Sequence, residues 1–568
     1  MPEDNKNTDQ MGDDFLDDAM RDIDSSNTPV RAPEVNRIQP EKPKGFKAKL
    51  KDLFVNPKKR KVIIASTFAA VILLAIVPNS RYLFLNTVGV RSSASVKVLD
   101  ESTNQPLRNV NVLLAGAEAK TDENGVARVQ QIKLGKSQLV IEKRAFAKTE
   151  KNVTVGWGSN PLGEFKIKPV GVQYQFKTVD FLTGKPIEKV EAVSGEYSAF
   201  SNAEGLAVIT IEDPGEGDVD ITLKAAGYRD EPVTQATESK DAQEVKMVPA
   251  RKHVFVSKRS GKYDVYQIDA DGKNEKLILS GTGNEREDIT LVSHPDKNFA
   301  VLVSSRGSQR NDDGFLLSSL TLIDMEEEEV LTEELDLSER IQIVGWAGDN
   351  LSYIKIADGA SADTPDRHRL ITYNLATGDK KQLAASNYFN DVVLVGNTIY
   401  HAASAAYQKG KVGLVKVNID GSSQSTVFDQ EVWNIFRVSF DKLMFSVQDD
   451  WYEYNLNEAR VLAAAGPPAT QITRVYIDGP EAKRSLWIDQ RDGKGALIVY
   501  DKDKAEDKTI KTQSGLTYPV RWLNTNTAIY RINTEQETAD YVVNLGAGEA
   551  KKITDVTNTG GIDRWYYY

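Results

Sequence analysis

VYQIDADGKNEKLI, residues 265–278, decides the fold of the larger part of this chain. An alternating apolar run closes on Asp269, passes through a turn rich in Asp and Gly, and resumes as a second run. That is the signature of two half-buried strands joined by a tight turn. The pattern returns as LTLIDMEEEEVL, LITYNLATGDKKQL, LVKVNIDGSSQSTV, WYEYNLNEARVL, LIVYDKDKAEDKTI and YVVNLGAGEAKKI. The closing residues are Asp269, Asp324, Asn374, Asn418, Asn455, Asp501 and Asn544, spaced from 37 residues (Asn418 to Asn455) to 55 (Asp269 to Asp324). This is the period of four-stranded propeller blades, and seven markers predict a seven-bladed β-propeller over residues 250–568. Each later marker follows two further strand patterns, such as Ile341–Trp346 and Leu351–Ala357, but the first follows only one, His253–Lys258. The C-terminal residues Ile562–Tyr568 contain Arg564-Trp565, a repeat of Arg521-Trp522 in the seventh blade. They are therefore expected to supply the innermost strand of blade one, closing the ring and removing its exposed edges.

Upstream, two segments repeat at an offset of 80 residues, from Asp100 to Asp180. Asp100-x-x-Thr103-x-x-Pro106-Leu107-x-x-Val110 returns as Asp180-x-x-Thr183-x-x-Pro186-Ile187-x-x-Val190, and Thr121-Asp122-x-x-Gly125-x-Ala127 as Ser201-Asn202-x-x-Gly205-x-Ala207. Alternating strands broken by Asx turns and glycines predict two small antiparallel sandwiches, at 92–169 and 170–249. These motifs resemble the carboxypeptidase regulatory-like domain, a transthyretin-like sandwich, and the resemblance implies a stalk or adhesion module without chemistry. The segment Val256-Ser257-x-x-Ser260-Gly261-x-x-Asp264-Val265-Tyr266-x-x-Asp269-x-Asp271-Gly272 resembles the TolB-type, WD40-like propeller repeat. That resemblance implies a ring that binds proteins or gates access. The peptidases carrying such rings add an α/β-hydrolase domain, for which this sequence offers no Gly-x-Ser-x-Gly elbow.

Nearer the N-terminus, Val62–Pro78 (VIIASTFAAVILLAIVP) is free of charge and long enough to span a bilayer as a helix of roughly 25 Å. Lys44–Lys61 carries eight Lys and Arg against one acid, Asp52, whereas Arg81 and Arg91 are the first cations beyond the apolar stretch. The positive-inside rule places 1–61 in the cytoplasm and the rest outside, as a single-pass signal anchor followed by a linker, 79–91. Tyr82 and Phe84 fall at headgroup depth. Residues 1–44 have a composition that cannot bury enough apolar surface to fold alone. Within them, residues 13–24 place Phe15, Leu16, Ala19, Met20 and Ile23 on one helical face, suited to a cytoplasmic partner or to a transient helix without one. GFKAKLKDLF, residues 45–54, suits an anionic leaflet.

The net charge of -11 is spread through interleaved acids and bases past residue 90, which argues against nucleic acid as a partner. Cysteine is absent, excluding disulfides and thiolate chemistry. The four histidines, His253, His294, His368 and His401, are too far apart for a local zinc motif and are expected at the surface or at strand ends. Asp122-Glu123-x-Gly125 and Asp269-x-Asp271-Gly272 read as turns, because the second sandwich has Asn202 and Ala203 at the first and Ser280 takes the place of a bidentate acid at the second. Glu326–Glu329 reads as a solvated hairpin turn. No phosphate loop, dinucleotide fingerprint or His-Glu-x-x-His occurs, and neither cofactor nor metal is expected.

The chain thus reads as an all-β ectodomain on one transmembrane helix, a binding or scaffold protein of a bacterial-type cell envelope. Its rivals are a glycan or peptide hydrolase using funnel carboxylates such as Asp449-Asp450 or Asp501-x-Asp503, and a purely structural spacer. Loops between the second and third strands of a blade all open on one face, and three successive ones are enlarged: Arg306–Gly314, Asp358–Arg369 and Ser404–Lys411. They carry Arg306, Arg310, Asp312, Asp313, Asp366, Arg367, His368, Tyr407 and Lys409, a mixed-charge set expected to meet a protein or glycan partner.

Overall fold

The computed structural model describes residues 78–236, 241–407, 412–469, 475–480 and 483–559, together with 61–62, 64–69 and 72. The chain divides into two units, Met1–Phe84 and Leu85–Tyr568. The tail segments 13–24 and 45–54, eight of the seventeen residues of Val62–Pro78 and the C-terminal Ile562–Tyr568 lie outside the described residues. Among the described residues, no helix is long and apolar enough to cross a membrane. The stretch expected as a linker is instead largely helical, from Pro78 to Thr87. Pro at a first helical position is preorganised for it, and neither Gly nor another Pro interrupts Asn79–Thr87.

Among the described residues, the regular structure after this helix is almost entirely β-strand. The first 80-residue repeat forms two sheets, one ordering Val126–Ile132, Ser92–Asp100 and Ser159–Ile167, the other Ala117–Lys120, Asn111–Leu114, Gly135–Glu142 and Thr149–Val155. Both contribute to one core containing Val96, Val98, Val112, Leu114, Val129, Leu139, Ile141 and Phe165. The second repeat duplicates this arrangement around Tyr174, Phe176, Ile209, Ile221, Leu223 and Met247. Its motif residues have the same duties in both copies. The Oδ1 of Asp100 accepts from the backbone of Ser102 and Thr103, and that of Asp180 from Leu182 and Thr183. Asp122 and Asn202 each accept two backbone N–H groups, so an amide replaces a carboxylate with the turn intact.

Gly125 and Gly205 show why the turn needs glycine. Both have left-handed φ (72° and 77°), and a Cβ there would lie 2.6 Å from the Val98 carbonyl oxygen or 2.5 Å from that of Thr178. Gly205→Ala is expected to destabilise the fold by about 2–4 kcal/mol in urea denaturation, combining the left-handed penalty with a backbone clash. Gly195→Ala, at φ 55° with open space around it, should cost only about 1 kcal/mol; equal losses at the two sites would refute the close-approach argument.

Seven antiparallel sheets follow, over 253–279, 290–338, 341–386, 389–428, 434–464, 477–513 and 516–555; six have four described strands, and the first has three. The marker residues are legible here as physics. Oδ1 of Asp324, Asn374, Asn455, Asp501 and Asn544 each accepts the backbone N–H groups two and three residues ahead, folding the chain into the outermost strand. Successive sheets pack through shared cores, as in Leu320 and Leu322 with Tyr353 and Ile371, or Tyr400 and Leu414 with Phe445 and Tyr454. The seventh returns to both the first and the second. His253 Nε2 lies 2.7 Å from Asp540, which Arg531 also grips, and the Trp522 N–H donates to Pro295 O (2.7 Å). Arg521, fully buried, donates to the carbonyls of Lys252 (2.8 Å) and Lys297 (2.6 Å). The result is an all-β, multi-sheet architecture of sandwich and propeller type.

The second repeat is fastened to these sheets. Phe181, Leu182 and Val248 share an apolar cluster with Phe255, Ile268, Val520, Leu523, Ile529 and Val542. Beside it, Arg229 binds Asp269, Asp271 (3.2 Å) and Glu231 (2.8 Å). The Asp269-x-Asp271 turn is thus more than a turn: its carboxylates are the seat of an arginine from the preceding sheets. The two repeats are joined in turn by Gln173 on Asp100 (2.9 Å), Gln105 on the Leu206 carbonyl (3.1 Å), and Tyr197, which packs against both cores.

All four histidines are buried, which overturns the surface half of the expectation, whereas His253 and His368 do stand at strand ends as its other half has it. A middle strand of one of these sheets is covered on both faces by its neighbours, so a polar residue in it has no solvent side to turn to. His401, within Thr398–Ala403, has both ring nitrogens buried without a partner, and burial pushes its pKa down to about 4.

Candidate functional site

The three enlarged loops each join the second and third strands of their sheets, and hydrogen bonds with one ion pair link them into one rim. In the second sheet's loop, Thr282 donates to the Arg306 carbonyl (2.9 Å), Arg306 reaches the Ser280 carbonyl (3.1 Å), and Arg310 donates to the Gly314 carbonyl (2.6 Å). Asn311 folds the tip by accepting from the Phe315 N–H (2.8 Å), then donates through Nδ2 to Glu339 Oε1 (2.7 Å). The other Glu339 oxygen lies 3.9 Å from Arg367 in the third sheet's loop. Asn387 Nδ2 donates to the carbonyls of Ala362 (2.7 Å) and Thr364 (2.9 Å), and the next residue, Tyr388, accepts from the Ser404 N–H (2.8 Å) of the fourth sheet's loop. Finally Ala405 N–H donates to Glu431 (2.7 Å), in the link leading to the fifth sheet.

The expected site residues divide accordingly. Arg306, Arg310, Asp312, Asp313, Asp366 and Tyr407 lie on loop surface, Asp366 3.8 Å from Arg369. Arg367 is mostly covered, held toward Glu339. His368 does not belong with them: it is 3 % exposed at the start of a strand, its Nδ1 bonded to the Asn387 carbonyl and its ring edge-on to Tyr388. Burial pushes it down to about 4, so it supports the loop from beneath as a neutral imidazole. Lys409 lies outside the described residues.

Sequence reasoning missed Glu339, Asn387, Glu431 and Trp433. All sit in links from the last strand of one sheet to the first of the next. Those links open on the same face as the loops between second and third strands, so the signal was topological. With them the rim gains a row of exposed aromatics, Phe315 (42 %), Tyr407 (62 %) and Trp433 (49 %). Beneath it, Asp391 accepts from the Ile435 N–H (2.8 Å), and burial raises its pKa. Among the described residues no group of His, Asp and Glu is placed to hold a metal ion.

No family model matches the chain, and no curated protein matches it. Solved structures resemble it distantly and in part. TolB from Acinetobacter baumannii is 10 % identical, with 60 % of this chain and 77 % of that one covered and a TM-score of 0.27. An oligogalacturonate lyase in complex with manganese is 12 % identical over 54 % and 74 % of the two chains, with a TM-score of 0.23. The β-propeller domain of the trilobed protease from Pyrococcus furiosus, described as having an open velcro topology, is 10 % identical over 67 % and 98 %, with a TM-score of 0.33. A TolB, a lyase and the propeller domain of a protease thus stand side by side among the structures that resemble it in part.

Proposed function

We propose that the chain is an extracytoplasmic binding or scaffold protein of the cell envelope, a seven-bladed propeller carried on two sandwiches behind a single N-in membrane helix. The rim meets a protein or glycan partner. The observation that carries this reading is the rim linked by hydrogen bonds at Asn311–Glu339, Asn387, Tyr388–Ser404 and Ala405–Glu431 and by one Arg367–Glu339 ion pair at 3.9 Å, with Phe315, Tyr407 and Trp433 exposed along it. Rigid loops presenting Tyr, Trp and Arg are what interface hot spots are made of, because large side chains with few rotatable bonds bury much area for little lost entropy. The test is capture from intact envelopes with the full chain as bait. Tyr407→Ala with Trp433→Ala should weaken capture at least tenfold while moving the melting temperature by no more than a degree or two, as exposed positions should. Capture that survives the pair, or is lost instead on changing Lys273 and Glu327 on the hairpins of the opposite face, would sink the reading.

A second reading, a glycan or peptide hydrolase, is favoured by Asp391, a carboxyl whose pKa burial raises, as a general acid requires. Hydrolysis of envelope glycans or peptides that disappears in Asp391→Asn would replace the first reading with this one.

A further inference from the structure

We propose that the end of the first sheet pair opposite its Asp122 turn docks on an anionic lipid surface, with Trp157 as its anchor. Strand register brings three segments to that end: Ser92 pairs with Ile132, Ser93 lies beside Ser159, and Gly135 pairs with Val155. Residues 85–93, 131–137 and 155–160 hold Arg91, Lys133 and Lys136 and not one Asp or Glu, in a chain whose net charge is -11. All three cations are exposed.

Trp157 projects from their midst and is 78 % exposed, the most exposed of the large hydrophobic side chains described; Val88 beside the same end is 57 % exposed. The turn that carries Trp157 is not loose. Gly156 N–H donates to Asn160 Oδ1 (2.7 Å), Asn160 Nδ2 donates to the carbonyls of Ser93, Gly156 and Gly158 (3.0–3.1 Å), and Ser92 donates to the Gly156 carbonyl (2.8 Å). Asn86 fastens the entering chain to the same end, exchanging hydrogen bonds with the backbone of Leu134 (2.9 and 3.0 Å). Arg91 is steadied by the carbonyls of Val90 (2.9 Å) and Asn86 (3.2 Å).

A rigid turn thus holds an indole out in water with no internal contact to reward it. An indole is favoured at headgroup depth, where its apolar body and its N–H are both accommodated. An acid-free ring of cations is complementary to an anionic leaflet, each Lys or Arg strengthening partition about fivefold. The proposal is independent of the rim and of what binds there.

The absence of cysteine makes the test direct. Single cysteines at Gln131, which keeps Trp157, and at Glu123 on the far end carry an environment-sensitive fluorophore in the full chain. The chain is mixed with vesicles of phosphatidylcholine, with or without phosphatidylglycerol, containing nitroxide-labelled acyl chains. The label at 131 should be quenched several-fold more than the label at 123, only when phosphatidylglycerol is present. The quenching at 131 should be lost in Trp157→Ser and in the combined Arg91→Gln, Lys133→Gln, Lys136→Gln variant. Loss of the quenching in the triple variant, which leaves the basic stretch Lys44–Lys61 intact, separates docking from mere tethering by the N-terminal segment. Equal quenching at both ends, indifference to phosphatidylglycerol, or energy transfer between labelled copies without lipid would overturn the proposal.

Discussion

Replacing Arg521 by Ala is expected to lower the stability of the seven-sheet assembly by about 3–5 kcal/mol, read as a shift in the urea midpoint followed by tryptophan fluorescence. Its guanidinium is 0 % exposed, and among the described residues no carboxylate lies within ion-pair distance. Burial pushes its pKa down to about 9. It is retained by its hydrogen bonds to the carbonyls of Lys252 and Lys297, which tie the seventh sheet to the entry of the first and the opening turn of the second. Removing it leaves two buried carbonyls unsatisfied at about 1–3 kcal/mol each, together with a cavity. Arg521→Lys should lose about half as much, because one ammonium cannot span both acceptors as the planar fork does. A midpoint unchanged in Arg521→Ala would mean that the sheets are held in register without it.

Acid should destabilise the same assembly through histidines that the fold holds neutral. His368 and His401 are both held near 4 in the folded chain, against 6.5 in the unfolded one. Between those values the unfolded chain takes up the protons and the folded chain does not, so protonation favours unfolding. The stability is fully present above pH 6.5 and is lost as pH falls toward 4, by about 2–3 kcal/mol per histidine at pH 4.5. The carboxyls of Asp336 and Asp540, which their cationic partners hold low against the pull of burial, contribute in the same direction only at still lower pH. His401→Leu isolates the effect. It should remove one histidine's share of the acid dependence and raise stability at pH 7 by about 1–2 kcal/mol, since both ring nitrogens are buried without partners. A pH profile unchanged by His401→Leu would show that the imidazole is protonated in the fold.

What the sequence disclosed and what it withheld follow from the range of the forces. Asp324, Asn374 and their counterparts were legible because each Oδ1 acts on N–H groups two and three residues away, so the cause of the turn lies inside the motif. The offset of 80 was legible for the same reason: Thr121 and Ser201 bond the same local backbone positions, Val110 and Val190. Arg229 was not, because its seat is 40 residues downstream and nothing in its own Gly-Tyr-Arg-Asp turn marks it. Glu339, Asn387 and Glu431 escaped because short links carry no period. The histidines were half legible: His253 and His368 stand at strand ends as expected, but neighbouring sheets cover those ends, which spacing along the chain does not show.

The fastening around Arg229 has a mechanical consequence. Domains meeting through small polar interfaces swing by default, and a partner captured at one end then pulls only against slack. Here an apolar cluster containing Phe181, Leu182 and Val248, flanked by an arginine on three carboxylates, leaves little slack between the second sheet pair and the sheets beyond it. Tyr197 and the paired glutamines stiffen the joint below. The chain from Ser92 onward is therefore braced at both of these joints. If the rim binds a partner as proposed, a pull on it passes through the two joints toward the first sheet pair instead of being taken up at a hinge between them.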